Sequence, residues 1–114
     1  MKSTNQMILE LLSEIMTEDM GIGFWQLEYL LQHIMDNPES INNFKKDVYP
    51  FVANRFNCKP TSIEKNISRL IPLINIKKLS EIVDKDIAIE SLTVSKLVRY
   101  IIIYLRLKTY TTQQ

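Results

Sequence analysis

Residues 48–71, VYPFVANRFNCKPTSIEKNISRLI, constrain the fold more than any other stretch, because they read as two short helices joined by a tight break. The first spans about 48–57, and Pro50 is tolerated in its opening turn, where an amide would lack an intrahelical partner anyway. Asn57-Cys58-Lys59-Pro60 interrupts the periodicity. The second helix is expected over 61–71, with the Thr61 hydroxyl as its cap and Glu64 completing a T-x-x-E capping box. Ile63, Ile67, Leu70 and Ile71 recur at i, i+4, i+7 and i+8, which makes one buried stripe. Ser62, Lys65, Asn66 and Arg69 fall on the opposite face. A helix that is apolar on one side, with short polar and basic side chains on the other, suits the major groove of duplex DNA. The pattern predicts a helix-turn-helix.

The rest of the chain is patterned as helices around this unit. A first helix is expected over 4–16, reaching 19 at most, with Met7, Ile8, Leu11, Leu12, Ile15 and Met16 inward. Ser3 or Thr4 can cap it, and Gly21 is placed to close it in a left-handed conformation. A second helix over 24–35 points Leu27, Leu30, Leu31, Ile34 and Met35 inward and stops at Asp36-Asn37-Pro38. Phe24 and Trp25 read as core packing rather than an exposed platform for bases, since no basic residue lies near them. A short turn follows Pro38, with Ile41 and Phe44 as its apolar contacts. Pro72 ends the recognition helix, 73–76 is an apolar connector, and a fifth helix covers about 77–83. Residues 84–92 read as a loop or a short extended piece. The last helix runs from about 93 or 94 to 108, and 109–114 reads as a frayed tail. Val94, Leu97, Val98, Ile101, Ile102 and Leu105 cover more than half of that helix, so it is central to the core or shared with a second copy. The expectation is one all-α domain, 1–114, a bundle of about six helices.

Composition agrees and narrows the setting. Only 2 glycines in 114 residues, and no regular alternation of apolar and polar side chains, argue against a β-rich fold. The lone Cys58 forms no internal disulfide and fits a reducing compartment. The N-terminus has no apolar signal core, and the longest apolar run, 100–105, is far too short to span a bilayer, so a cytoplasmic protein without a membrane partner is expected.

The formal net charge of +1 hides a segregation. Residues 1–44 hold Lys2 against Glu10, Glu14, Glu18, Asp19, Glu28, Asp36 and Glu39, a net of −6. Residues 45–78 hold Lys45, Lys46, Arg55, Lys59, Lys65, Arg69, Lys77 and Lys78 against Asp47 and Glu64, a net of +6. Residues 79–114 contribute +1. Positive charge is concentrated on the helix-turn-helix and its flanks, as an electrostatic footprint for phosphates requires. The buried positions in this segment are apolar, so its bases point outward.

Catalytic chemistry finds little support. His33 is the one histidine, and it reads as a partly buried or surface side chain on a helix. No Cys/His pair has metal-ligand spacing. Gly21-Ile22-Gly23 lacks the strand and the later glycine of a phosphate cradle. Cys58 fills a turn, and Asn66-Ile67-Ser68 matches a glycosylation sequon only formally. A non-enzyme is expected, with no cofactor, no metal and no small-molecule substrate.

The run Tyr49-Pro50-x-x-Ala53-x-x-Phe56-Asn57, followed by Thr61-x-Ile63-Glu64-Lys65-x-Ile67-x-x-x-Ile71, resembles the C-terminal DNA-binding domain of the master sporulation response regulator of endospore-forming Firmicutes. Gly21-Ile22, then Tyr29-Leu30 and Ile34, resemble that domain's second helix, and Leu105-Arg106-Leu107 the end of its last. The resemblance implies a domain of about six helices that binds a short promoter element, often as tandem dimers, downstream of a phosphorylated receiver domain. It implies that Glu64 corresponds to a base-contacting glutamate, and that Lys65 stands where the family has an arginine. Two family arginines correspond to Ser62 and Ser68, and Pro72 falls where the family's recognition helix continues. An Arg bidentate to guanine is worth roughly 1–3 kcal/mol of discrimination, so their loss changes or relaxes the site read. Arg69 and Asn66 are partial substitutes, Asn being suited to adenine.

The expected function is sequence-specific binding of double-stranded DNA by a transcription regulator. Lys59, Ser62, Glu64, Lys65, Asn66 and Arg69 form its reading set, and Lys45, Lys46, Arg55, Lys77 and Lys78 hold the phosphate backbone. A homodimer through the first or last helix is a second expected partner. No receiver domain is expected, since one would require roughly a hundred further residues. The alternative is a degenerate stand-alone relative that has lost DNA readout and acts by protein contact with a regulator.

Overall fold

The computed structural model describes residues 2–16 and 21–113, the last three of these by backbone alone. Six α-helices carry the fold: α1 (Thr4–Ile15), α2 (Ile22–Asp36), α3 (Tyr49–Phe56), α4 (Pro60–Ser68), α5 (Ile76–Val83) and α6 (Val94–Gln113). No strand occurs among the described residues, and the all-α bundle read from the sequence is the fold observed.

The amphipathic stripes build the core. α2 packs against α1, α3, α4 and α6, and Leu27, Leu30, Leu31 and Ile34 on it are fully buried. Ile8, Leu12 and Ile15 of α1 and Leu97, Val98 and Ile101 of α6 close on the same interior. Each such side chain contributes about 1.5–3 kcal/mol by leaving water. α6 is therefore a core helix, yet Ile103, Leu107 and Tyr110 along its far side remain 59%, 63% and 65% exposed.

Several helix ends differ from expectation. Ser3 caps α1 in a full capping box, its Oγ accepting from the Gln6 amide at 3.1 Å while Gln6 Oε1 accepts from the Ser3 amide at 2.9 Å. α1 stops at Ile15, because Met16 turns extended to form an isolated antiparallel bridge with Ile74. The Asn75 amide donates to the Ile15 carbonyl beside it at 2.6 Å. The rest of the expected extension, 17–19, lies outside the described residues. Gly21 does not adopt a left-handed conformation: with φ −70° and ψ −176° it is extended and caps the start of α2, two residues ahead of the expected one. α6 runs on to Gln113 rather than ending at 108. In 84–92, Ile89–Ser91 is a 3-10 turn.

The helix-turn-helix has a longer lead-in than the sequence suggests. Phe44–Val48 forms a π-helical turn running straight into α3, with the Val48 amide donating to the Asn43 carbonyl and the Tyr49 amide to that of Phe44. Pro50 explains the widening. Its ring would crowd the carbonyl four residues back and it offers no N–H, so the turn before it opens to i→i+5 spacing. Two contacts pin this turn: His33 Nε2 lies 3.1 Å from Asp47 Oδ1, and the Phe44 ring packs 5.5 Å from that of Tyr49. α3 ends on Asn57 in the left-handed region (φ 54°), and the Cys58 amide donates to the Ala53 carbonyl at 3.1 Å. This is a Schellman closure with asparagine in the position usually held by glycine.

Candidate nucleic-acid interface

α4 begins one residue earlier than its sequence suggests. Pro60 occupies the first helical position, where its fixed φ is already helical and its missing N–H costs nothing. Lys59 is then the cap residue and no side chain caps the helix, so the expected Thr61–Glu64 capping box does not form. The other end is shorter than the expected 71. After Ser68 the Leu70 amide donates to the Ile67 carbonyl, three residues back, and Ile71–Leu73 continues as a 3-10 turn. Pro72 causes this, since it has no N–H for the Ser68 carbonyl.

Ile63 and Ile67 are fully buried and Leu70 nearly so, which seats α4 against α2 and α3 as the apolar stripe requires. The outward stripe is rotated by one residue from the expected one. Thr61, Glu64, Lys65, Ser68 and Arg69 are exposed, whereas Ser62 and Asn66 are half-buried. Asn66 is turned to α2: its Nδ2 donates to Oε1 of Gln26 at 3.0 Å, and Gln26 is 2% exposed. The expected placement of Asn66 on the outward face is thereby corrected, because a buried amide on α2 needs a polar partner. Gly23, one turn earlier on α2, touches the same place: a Cβ there would lie 2.7 Å from the Asn66 carbonyl oxygen. Neither Gly23 nor Gln26 belongs to the expected site. The signal was present in part, since Gln26 sits four residues before the buried Leu30 and shares its side of α2.

Among the described residues, none of the eight bases of 45–78 has a carboxylate within ion-pair distance; the ion pairs are Lys2–Glu10 and His33–Asp47. Lys59, Lys65 and Arg69 are exposed on or beside α4, and Lys45 and Lys46 on the π turn. Arg55 lies over the Tyr29 ring, 5.8 Å from its centroid. Lys77 and Lys78 ride on α5, which packs against α1 and α6, so the structure does not bring them onto the outward face of α4.

A cleft of about 500 Å³ runs beside α4. Lys45, Tyr49, Glu64, Ser68 and the start of α6 line it. Burial, with a smaller contribution from the Glu64 charge, pushes the Tyr49 hydroxyl up to about 12, so it stays protonated. The aromatic side of α2 faces elsewhere. His33 stacks on Phe51 with ring centres 3.9 Å apart, and Phe51 stacks in turn on Tyr29. Trp25, expected in the core, is 42% exposed and packs T-shaped against Phe24, ring centres 5.2 Å apart. Among the described residues no group of three or more His, Cys, Asp or Glu could hold a metal ion, and no helix is long and apolar enough to cross a membrane.

The family model for the C-terminal part of sporulation initiation factor Spo0A matches residues 8–105, from the first helix to the buried part of the last. The chain belongs to that family. The Spo0A C-terminal family is one of DNA-binding effector domains acting in sporulation and transcription regulation, in agreement with an exposed, basic helix-turn-helix on a helical scaffold. Comparison with curated proteins returned no match.

Proposed function

We propose that this protein binds double-stranded DNA sequence-specifically as a transcription regulator, with α4 lying in the major groove. The observation that carries the reading is the outward face of α4, Thr61, Glu64, Lys65, Ser68 and Arg69, on which both cations lack an ion-pair partner among the described residues. Lys65 and Arg69 supply donors to base edges or phosphates, and Glu64 accepts from cytosine N4. Lys59 at the start of α4 and Lys46 on the π turn meet the backbone, as the first helix of such a unit crosses it. Ser62 and Asn66 act from behind, Asn66 by fixing α4 on α2. Arg55, held over Tyr29, contributes charge more than reach.

Titration of the chain with duplex at stepped ionic strength tests this. Four to six phosphate contacts predict a log–log slope of about −3.6 to −5.4, so affinity falls roughly 150- to 1,800-fold between 50 and 200 mM salt. A flat profile, or no binding at 50 mM, rejects it. Self-association through the exposed Ile103, Leu107 and Tyr110 of α6 would appear in the same titration as two chains per site.

A further inference from the structure

The cleft beside α4 is lined by both a cation, Lys45, and an acid, Glu64. Lys45 of the π turn and Glu64, midway along the exposed side of α4, line the same cavity, together with Ser68 at the end of that helix. They form no ion pair, so the ammonium keeps its donors and the carboxylate its acceptors. Lys46, its neighbour in sequence, does not line the cleft. The position of Lys45 is imposed rather than accidental: Pro50 opens the π turn, and the His33–Asp47 and Phe44–Tyr49 contacts hold it.

A phosphate entering this cleft would meet the Glu64 carboxylate and be repelled. A base pair would not. The major-groove edge of a G·C pair offers the O6 and N7 acceptors of guanine beside the N4 donor of cytosine. We propose that Lys45 and Glu64 together read one G·C pair, Lys45 donating to guanine and Glu64 accepting from cytosine, so that Lys45 is a specificity-determining residue rather than a phosphate contact. The inference rests on the major-groove reading of α4 given above.

The test uses the intact chain and a duplex it selects from a random library. Binding of wild type, Lys45→Ala, Lys45→Arg, Glu64→Ala and Lys46→Ala is measured on that duplex and on each single base-pair variant of it. Lys45→Ala is expected to lose discrimination of roughly 5- to 150-fold at one G·C pair and to keep the rest. Glu64→Ala should relax the same pair, and Lys45→Arg should retain it. Lys46→Ala should weaken every duplex by a common factor. If Lys45→Ala also weakens all duplexes equally, or relaxes a different pair from Glu64→Ala, the paired reading is overturned while DNA binding stands. If wild type selects no motif, the DNA reading itself fails and the inference falls with it.

Discussion

A Lys65→Ala/Arg69→Ala double variant is expected to bind its selected duplex at least about 30-fold more weakly while its helical content and unfolding midpoint stay put. Both side chains are exposed on the outward side of α4 and neither makes an ion pair among the described residues, so truncation leaves no buried group unsatisfied. Surface changes of this kind usually alter stability by no more than about 0.5 kcal/mol. Each base contact is worth roughly 1–3 kcal/mol, and two lost together give roughly 30- to 10⁴-fold in affinity. Fluorescence anisotropy on the selected duplex, with circular dichroism of the free protein, reads both quantities. Unchanged affinity would show that α4 is not the reading element.

The second large effect is at Gly23, and it acts on stability first. Gly23→Ala introduces a Cβ 2.7 Å from the Asn66 carbonyl oxygen, 3.2 Å from its carbon and 3.5 Å from Leu70 Cγ. The nearest two atoms are backbone of α4, which cannot swing aside as a side-chain tip would. Alanine gains about 1 kcal/mol of helix propensity over glycine, so the outcome depends on which effect is larger. Overpacking of a fitted contact costs about 1–3 kcal/mol, and here relief requires moving α4 away from α2 and lengthening the Gln26–Asn66 hydrogen bond. Because the crowded atoms are backbone, the contact wins: the variant is expected to be up to about 2 kcal/mol less stable by urea unfolding, and to bind DNA more weakly even where fully folded. Gly21→Ala is the control, since nothing lies within 4 Å of its added Cβ; it should change stability by less than about 1 kcal/mol. Equal effects at the two glycines would contradict the close packing of α2 on α4.

The fold was legible because its information is local. Six apolar stripes at helical spacing give six helices, and the residues at fault are ends rather than elements. Pro60 shows the limit: the same proline that reads as the close of the break also serves as a first helical residue, which moved the cap from Thr61 to Lys59. The π turn was hidden because proline in an opening turn is ordinarily tolerated. That Pro50 widens the turn before it, and that Phe44 and Asp47 hold the widened form against Tyr49 and His33, depends on packing that periodicity does not carry. The reading face was less legible than the helix that carries it. Ile63 and Ile67 define a stripe, but the rotation of α4 about that stripe is set by Asn66 reaching Gln26, forty positions away in sequence. Periodicity within α4 carries no trace of that partner. Charge fared in between: the +6 segment places its bases outward, while which of them border α4 follows from packing, as Lys45 in the cleft and Lys77 on α5 illustrate.

The most direct measurement of the central claim is selection by the intact chain from a library of random duplexes, sequenced after several rounds at moderate salt. Sequence-specific readout by α4 predicts one enriched motif of a few base pairs, lost when Lys65 and Arg69 are both alanine. Recovery of the library unenriched, by a chain that is folded and at low salt, would contradict it.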